Sequence, residues 1–321
     1  MRRIKQWAML TAFAILVSLL LFSAAHAQVR ILNIVAHQDD DVLFMNPDVQ
    51  AYIDAGYTVV TVYMTAGANT CTQSTAYWLG REAGVMAAYA QMAGAANKWT
   101  LMDDKPVREI KLVGRPKISL VFFRLPEGGI DGSICVDDGV NLRTLWSEDA
   151  QTITALDGSA VYTKDQLIAA LANLVQQFHP DVINTLDSSG LNGTGQDPSG
   201  IGIVYTHTGL CDFYDNSDHY YSAIFALAAN GTYRKVHQFH RYRAYNIGNE
   251  DPNVSGQQLT RKELVFQVYA ENDVAIPSSQ PPFCGVNGSL YCLYDNWQER
   301  QFQVDLSNPP NDATCPIPPG P

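Results

Sequence analysis

The sequence predicts an α/β protein: a three-layer α/β/α sandwich built on a Rossmann-like, mostly parallel sheet. Apolar runs of strand length, rich in β-branched residues, alternate with segments of helical length along most of the chain. Their order is that of βαβ units, in which parallel strands are covered by helices on both faces. Neither an internal repeat nor a clear linker interrupts this pattern, which favours one domain with a C-terminal extension.

The first half of the chain supplies the first strands and helices. VRILNIVA at 29–36 predicts a buried strand, and NPDVQAYIDAG at 46–56 predicts a helix with a proline in its first turn and a terminal glycine. YTVVTVYMT at 57–65 predicts a second strand, and the Ala-rich stretch 77–97 predicts a long helix. KISLVFFRL at 117–125 predicts a third strand that ends in the turn PEGGIDG.

The second half continues the alternation until about residue 250. The predicted elements are helices at 163–180, 217–231 and 255–273 and strands at 181–186 and 233–247. Beyond the last helix the chain is rich in loops and proline. We therefore expect an α/β domain at 28–250 and a C-terminal extension, 251–321, packed on the same domain.

Residues 1–27 predict a signal peptide. Three basic residues precede an apolar core of about fifteen residues, and AHA provides a small-residue cleavage site. An uncleaved anchor is the alternative, but the apolar core is short for a membrane-spanning helix. We expect the mature chain to begin at Gln28, to be secreted or periplasmic, and to make no stable insertion into a membrane.

The charge of the mature chain excludes two classes of partner. Without Arg2, Arg3 and Lys5, 18 of the 21 basic residues remain against 32 acidic ones, a net charge near −14. Polyanions repel such a chain, so neither nucleic acid nor an anionic membrane is expected as its main partner. GxGxxG is missing after the first strand, and the Rossmann-like pattern therefore carries no dinucleotide implication.

Six cysteines lie in the exported part: Cys71, Cys135, Cys211, Cys284, Cys292 and Cys315. None forms a CxxC pair, so zinc-finger spacing is absent. An even number of cysteines in an oxidising compartment predicts disulfides. Cys284 and Cys292, which bracket a turn-rich loop, are the expected local pair.

A histidine and three aspartates follow the first predicted strand. Ligands bind beyond the carboxyl ends of the strands in open parallel sheets, and HQDDD at 37–41 lies there. His37 and Asp40 are three residues apart, which suits an imidazole and a carboxylate on one zinc or divalent iron ion. On its own the motif is as typical of a solvated acidic turn.

The second half of the chain supplies a further ligand candidate. Asp218 and His219 stand at another loop-to-helix junction, in YDNSDH at 214–219. His37, Asp40 and His219 would together form a three-ligand catalytic metal site with one position left for water. The alternative is that His219 is an ordinary residue in the first turn of a helix.

Five motifs in this order resemble the PIG-L/LmbE family of metal-dependent N-acetylglucosamine de-N-acetylases. They are AHQDDD at 36–41, MTAG at 64–67, GREAGVMAAYAQMAG at 80–94, RLPEGG at 124–129 and SDH at 217–219. The family has AHPDD at the first motif, so Gln38 replaces a proline. The resemblance covers roughly residues 29–245 and implies the LmbE-like form of the sandwich fold.

The resemblance also implies roles for individual residues. His37, Asp40 and His219 would hold the metal, usually Zn²⁺, with Fe²⁺ as another candidate. Asp39 would be the general base that takes a proton from water. Asp41 would support the turn without touching the metal.

The second motif departs from the family pattern. Asn216 stands where the family often has a histidine that acts as general acid, and an amide cannot deliver a proton. Asn216 could still hydrogen-bond an oxyanion, as could Tyr214 at a family tyrosine position, and Asp218 would orient a neighbouring group. Protonated Asp39 could take over the acid role, with His207 as a further candidate.

Arg81 matches a family arginine that contacts substrate hydroxyl or phosphate groups. A helix-surface ion pair with Glu82 or another acid is the alternative. Arg124 and Glu127, in the turn RLPEGG, could shape a pocket, although a structural turn is the simpler interpretation.

The sequence thus predicts an exported metal-dependent hydrolase that removes the N-acetyl group from an N-acetylglucosamine-type sugar or glycoconjugate. The alternatives are a deacylase of another N-acyl compound, such as a secondary metabolite, and a non-catalytic carbohydrate-binding relative. The departure at Asn216 keeps the second alternative open.

Overall fold

The computed structural model describes residues 28–68, 74–102, 107–129, 139–188, 215–283 and 293–304. The strands are β1 (Arg30–Val35), β2 (Thr58–Thr65), β3 (Trp99–Met102), β4 (Arg108–Leu112), β5 (Ile118–Leu125), β6 (Ile153–Thr154), β7 (Val161–Tyr162), β8 (Val182–Leu186) and β9 (Gln238–Tyr242). The α-helices are α1 (Asp40–Phe44), α2 (Asp48–Asp54), α3 (Thr75–Met92), α4 (Leu142–Trp146), α5 (Lys164–Phe178), α6 (Ser217–Asn230), α7 (Gly256–Ala270) and α8 (Leu293–Gln298).

Seven of these strands form one sheet in the order β3-β4-β5-β2-β1-β8-β9. β5, β2, β1, β8 and β9 run parallel, whereas β3 and β4 form an antiparallel hairpin at one edge. β6 and β7 pair separately as a short antiparallel ribbon. The predicted fold class, a mostly parallel sheet flanked by helices, is confirmed.

Alternation along the strands places one hydrophobic core on each face of the sheet. Ile31 and Val35 of β1 join a buried cluster that includes apolar residues of α3 and α7. Leu32 and Ile34 point to the other face and join a cluster that includes α5 and α6. Each of these fully buried aliphatic side chains stabilises the fold by about 1.5–3 kcal/mol relative to exposure.

Several predicted elements have boundaries set by local hydrogen bonds. Thr163 caps α5 through a reciprocal capping box with Gln166, and Asn216 caps α6. His179 is the C-cap of α5 and has a φ of 52°, the left-handed conformation in which many helices end.

Other elements differ from the sequence prediction. The strand predicted at 233–247 extends only over β9, and Tyr245–Asn249 forms a 3₁₀ helix instead. The hairpin β3–β4 and the five-residue helix α1 were not predicted. β3 and β4 were missed because their side chains alternate poorly between apolar and polar types, with intermediate burial at most positions.

α7 lies in the predicted C-terminal extension and contributes to the core on the α3 side of the sheet. Its Lys262 is 1% exposed, and its Nζ donates hydrogen bonds to the carbonyl oxygens of Trp297 (3.0 Å) and Arg300 (2.7 Å). Burial lowers the pKa of Lys262 well below its ordinary value, and the nearby charge of Arg300 lowers it further.

Replacement of Lys262 with methionine is expected to flatten the pH dependence of stability. The unfolded lysine keeps its proton up to about pH 10.4, whereas the folded one loses it at lower pH. Unfolding therefore takes up a proton between those two pKa values, and the free energy of unfolding rises with pH by at most about 1.4 kcal/mol per unit. Urea unfolding at a series of alkaline pH values measures the slope, and equal slopes for both proteins would contradict the prediction.

None of the helices in the described part of the chain is long and apolar enough to cross a membrane. The predicted signal peptide at 1–27 and all six cysteines lie outside the described residues. Export and the Cys284–Cys292 pair therefore stay predictions.

Candidate functional site

The turn after β1 is organised around the carboxylate of Asp40. Its Oδ2 accepts hydrogen bonds from the backbone N–H groups of Ala36 (3.0 Å) and His37 (2.7 Å). Asp40 is also the first residue of α1, and its side chain is 1% exposed. These backbone bonds leave Oδ1 to face the interior of the site.

α6 brings His219 to the same point. Its Nε2 lies 2.9 Å from Asp40 Oδ1 and 3.1 Å from His37 Nδ1, and His37 Nδ1 lies 3.3 Å from Asp40 Oδ1. The three side chains are buried. The structure thus brings together the three residues that the sequence predicts as metal ligands.

The donor set of His37, Asp40 and His219 fits a divalent metal ion. Tetrahedral coordination with bonds of roughly 2.1 Å separates neighbouring ligand atoms by about 3.4 Å, and the observed separations are close to this value. Two imidazole nitrogens and a carboxylate oxygen suit zinc or divalent iron.

The charges around the cluster also favour a cation. Burial lowers the pKa of His219, but the carboxylates of Asp40 and Asp215 outweigh burial and raise it to about 9. Burial lowers the pKa of His37 as well, but the carboxylate of Asp40 outweighs it, and the pKa of His37 rises well above the ordinary value. A site that attracts protons this strongly also attracts a metal ion, which must displace those protons to bind.

Each histidine of the cluster meets further carboxylates through its second nitrogen. His219 Nδ1 lies 2.5 Å from Asp215 Oδ1, and His37 Nε2 lies 3.6 Å from both Glu127 Oε1 and Asp218 Oδ2. Such carboxylates favour a proton on the outer nitrogen and so direct the lone pair of the other nitrogen toward the cluster.

Asp218 does not belong to the three-atom cluster. Its Oδ2 accepts a hydrogen bond of 2.8 Å from the backbone N–H of Gly128, in the turn after β5. Asp218 therefore contacts the turn after β5 and His37 from the first turn of α6, and its predicted role in orienting a neighbouring group stays a prediction. Glu127 was considered from sequence only as a residue that could shape a pocket, and Asp215 was not assigned to the site. The spacing of Asp215, four residues before His219 and beside a helix start, was the available signal.

Asp39, the predicted general base, differs from its neighbours in exposure. His37, Gln38, Asp40 and Asp41 are buried, whereas the side chain of Asp39 is 13% exposed. Burial raises the pKa of Asp39, the Arg81 guanidinium lowers it, and the net direction is upward. A partly accessible carboxylate with a raised pKa is a suitable proton acceptor.

Arg81 lies against Asp39, with Nη2 donating to Asp39 Oδ1. Its Nη1 donates to the carbonyl oxygen of Gly67 (2.6 Å), and its Nε donates to the hydroxyl of Tyr269 (2.7 Å) and lies 3.2 Å from Asp273 Oδ2. The structure thus places Arg81 in an ion pair with acids other than Glu82, while Glu82 pairs with Arg124. Its predicted contact with substrate stays a prediction.

Gly67 allows this close approach of Arg81. Its φ is 64°, and a Cβ there would lie 2.3 Å from Gln38 Oε1 and 2.6 Å from Arg81 Nη1. Gln38 is itself buried and donates to the carbonyl oxygen of Thr65 (3.1 Å). The predicted MTAG motif therefore has a packing function beside Asp39.

Replacement of Gly67 with alanine is expected to lower activity on the order of 10²-fold, because displacement of Arg81 by an ångström would move Asp39 out of position. Gly94 is a matched control, since its φ of 56° is similar but a Cβ there meets nothing within 4 Å. Both variants bear a backbone cost of roughly 1–2 kcal/mol. Equal activity losses in the two variants, measured as kcat/KM, would contradict the prediction.

Asp41 faces away from the metal cluster. Its Oδ2 accepts hydrogen bonds from the hydroxyls of Tyr63 (3.1 Å) and Tyr89 (2.5 Å). Burial raises the pKa of Asp41 to about 7. Hydrogen bonds continue from Tyr89 through Thr61 and Asn33, so Asp41 anchors a buried polar chain beneath the site.

Asn216 serves as the N-cap of α6. Its Oδ1 accepts a hydrogen bond of 2.8 Å from the backbone N–H of Asp218, and the residue is 3% exposed. Its predicted contact with substrate stays a prediction. Tyr214 and His207 lie outside the described residues.

An α/β sandwich with a His–Asp–His cluster at the carboxyl ends of parallel strands defines a candidate metal-dependent enzyme. The sequence matches the family PIG-L, GlcNAc-PI de-N-acetylase, over residues 32–197. The chain belongs to this family of deacetylases. No curated protein matches it significantly.

Solved structures with a similar fold include two deacetylases and one hydratase. The zinc-inhibited form of the teicoplanin deacetylase Orf2 has 13% identity and a TM-score of 0.42, covering 84% of this chain and 90% of that one. The pseudoaglycone deacetylase Dbv21 has 14% identity and a TM-score of 0.40, covering 78% and 84%. The 4-carboxy-2-hydroxymuconate hydratase GalB from Pseudomonas putida has 13% identity and a TM-score of 0.39, covering 77% and 84%. At these values the likeness carries no functional argument.

Proposed function

We propose that this chain is an exported metal-dependent hydrolase that removes the N-acetyl group from an N-acetylglucosamine-type sugar or glycoconjugate. The observation that carries the proposal is the convergence of His37, Asp40 and His219 within 3.3 Å of one another beside the accessible carboxylate of Asp39. Membership of the PIG-L family supports deacetylation as the reaction.

His37, Asp40 and His219 would hold the metal ion. When bound, a divalent cation supplies Lewis acidity, which lowers the pKa of water and polarises an amide carbonyl. Asp215 orients His219, while Glu127 and Asp218 orient His37, so the three ligands are fixed before a cation binds.

Asp39 would move the proton. Its carboxylate takes a proton from the attacking water, and Arg81 holds Oδ1 in place during that transfer. The same carboxyl group can then protonate the departing amine. This second step makes a separate acid at position 216 unnecessary, which agrees with the use of Asn216 as a helix cap.

Acetate release from N,N′-diacetylchitobiose and N-acetylglucosamine tests the proposal. The zinc- or iron-loaded chain is expected to release acetate, to lose this activity on chelation, and to regain it when metal is restored. An N-acetylated amino acid serves as the matched non-sugar substrate. Faster release from that compound would favour a deacylase of another substrate class.

A non-catalytic carbohydrate-binding protein would give a different pattern. Calorimetric titration would then show binding of the sugar by the loaded chain, while no acetate would form at any metal concentration. Absence of about one metal ion per chain after loading would contradict the metalloenzyme proposal directly.

A further inference from the structure

Each of the three guanidinium nitrogens of Arg81 donates a hydrogen bond to a partner within the protein. Nη2 is directed at Asp39, Nη1 at the Gly67 carbonyl, and Nε at Tyr269 and Asp273. The residue is 6% exposed. A guanidinium binds phosphate through paired N–H donors, and here an internal acceptor already engages one donor on each of the three nitrogens.

Tyr269 and Asp273 hold each other as well as Arg81. The Tyr269 hydroxyl donates to Asp273 Oδ2 (2.9 Å), and Asp273 is 3% exposed. Both residues lie in the C-terminal part of the chain, so this part fixes Arg81 toward Asp39. Release of Arg81 to a substrate would leave the buried carboxylate of Asp273 and the partly accessible carboxylate of Asp39 without their cation, which is costly for the buried group.

Negative charge predominates around the cluster. Six carboxylates lie in the cluster or close to it: Asp40 belongs to it, Glu127, Asp215 and Asp218 approach its histidines, and Asp39 and Asp273 pair with Arg81. Arg81 and a bound divalent cation would together contribute only three positive charges. The potential at the site therefore opposes a substrate that carries further negative charge.

Other basic residues near the strand ends are also paired with acids. Arg124 bonds Glu82 and Asp157, and Arg241 lies 3.5 Å from Asp187 Oδ1. The sequences outside the described residues at 69–73, 130–138, 189–214 and 284–292 contain neither lysine nor arginine. Lys105, which falls between β3 and β4 in the sequence, is the one lysine or arginine in such an internal segment.

We propose that the site selects an uncharged N-acylated sugar and discriminates against sugars that carry a phosphate, including the phosphatidylinositol glycolipid in the family's name. This inference rests on the proposed function, because it concerns the substrate of the same site. It assigns Arg81 as a positioning residue for Asp39, in place of the contact with substrate hydroxyl or phosphate groups that the family resemblance implies.

Competition between two matched sugars tests the inference. N-acetylglucosamine 6-phosphate differs from N-acetylglucosamine only by a phosphate across the ring from the acetamido group. We expect kcat/KM of the zinc-loaded chain to be on the order of tenfold higher for the neutral sugar. Repulsion between the phosphate and one or two poorly screened carboxylates of the site produces a difference of that size. Added salt should narrow the difference. Equal or faster turnover of the phosphorylated sugar would overturn the inference.

Substitution of Asp273 with asparagine tests the role of Arg81. Removal of this carboxylate takes one negative charge from the site and loosens Arg81, so the preference for the neutral sugar should fall to about threefold. Asp157→Asn is the matched control, because it also removes a carboxylate paired with an arginine, but at Arg124. Tyr269→Phe gives a second way to loosen Arg81 if Asp273→Asn does not fold. An unchanged preference in the folded variants would contradict the positioning role.

The two proposals fail in different ways. If neither sugar releases acetate, the proposed deacetylation is wrong, and calorimetric titration of the zinc-loaded chain with both sugars still decides the charge preference. Tighter binding of the neutral sugar supports the inference. Tighter binding of the phosphorylated sugar overturns it even if deacetylation is observed.

Discussion

Replacement of His219 with alanine is expected to abolish metal binding and, with it, activity. His219 Nε2 is within 3.1 Å of both other proposed ligands, so its loss leaves two side chains that cannot enclose a cation. Loss of the metal removes several kcal/mol of transition-state stabilisation, which corresponds to about 10³-fold in rate. Elemental analysis of the purified variant and an acetate-release assay measure the two effects.

The matched control is His240→Ala, on β9. His240 is half-buried and lies outside the metal cluster, so its loss should leave the metal content unchanged. Zinc is expected to raise the unfolding temperature of the wild type and of His240→Ala but not that of His219→Ala, because a ligand stabilises only the state that binds it. Retention of a full complement of metal by His219→Ala would refute the assignment.

Four of the five parallel strands were predictable because they are buried on both faces. β1, β2, β5 and β8 are mostly apolar and rich in β-branched residues, so each can be recognised without its partner. The hairpin β3–β4 was not predictable, since it lies at one edge of the sheet and most of its side chains are only partly buried, so its pairing depends on the neighbouring strand. α1 was missed because five residues, two of them aspartates, show no helical period.

The metal cluster was predictable for a different reason. His37 and Asp40 are local to one turn, and His219 follows a helix start, so each had a signal in its own motif. Tyr269 and Asp273 had none, because their contact with Arg81 joins residues 188 and 192 positions apart only in the folded chain. Glu127 was noted in the predicted turn RLPEGG as a residue that could shape a pocket. Its approach to His37 was not predictable, because it depends on how β5 ends.

The family match ends at residue 197, yet much of the site lies beyond it. Asp215, Asp218 and His219 come from α6 and the residue pair before it, and Tyr269 and Asp273 come from α7 and the turn that follows. The N-terminal part thus supplies two proposed ligands and the proposed base, while the C-terminal part completes the cluster and fixes Arg81. Features that set substrate choice are therefore expected in the less predictable half of the chain.

Asp39→Asn is expected to lower kcat by about 10²–10⁴-fold while metal remains bound, since general-base catalysis contributes an effect of that size. Asparagine has nearly the same shape and can still accept a hydrogen bond from Arg81, but its amide cannot take a proton from water. Metal content and acetate release from the same preparation measure the two properties together.

Asp41→Asn is the matched control within the same run of aspartates. The substituted side chain would retain an oxygen for the hydroxyls of Tyr63 and Tyr89, and it faces away from the cluster, so kcat should change by no more than about threefold. If Asp39→Asn lost its metal, Asp39 would have to be counted among the ligands. If instead both variants lost activity equally with metal bound, the loss of negative charge at either aspartate would explain the effect. Asp39 would then have no distinct role as base.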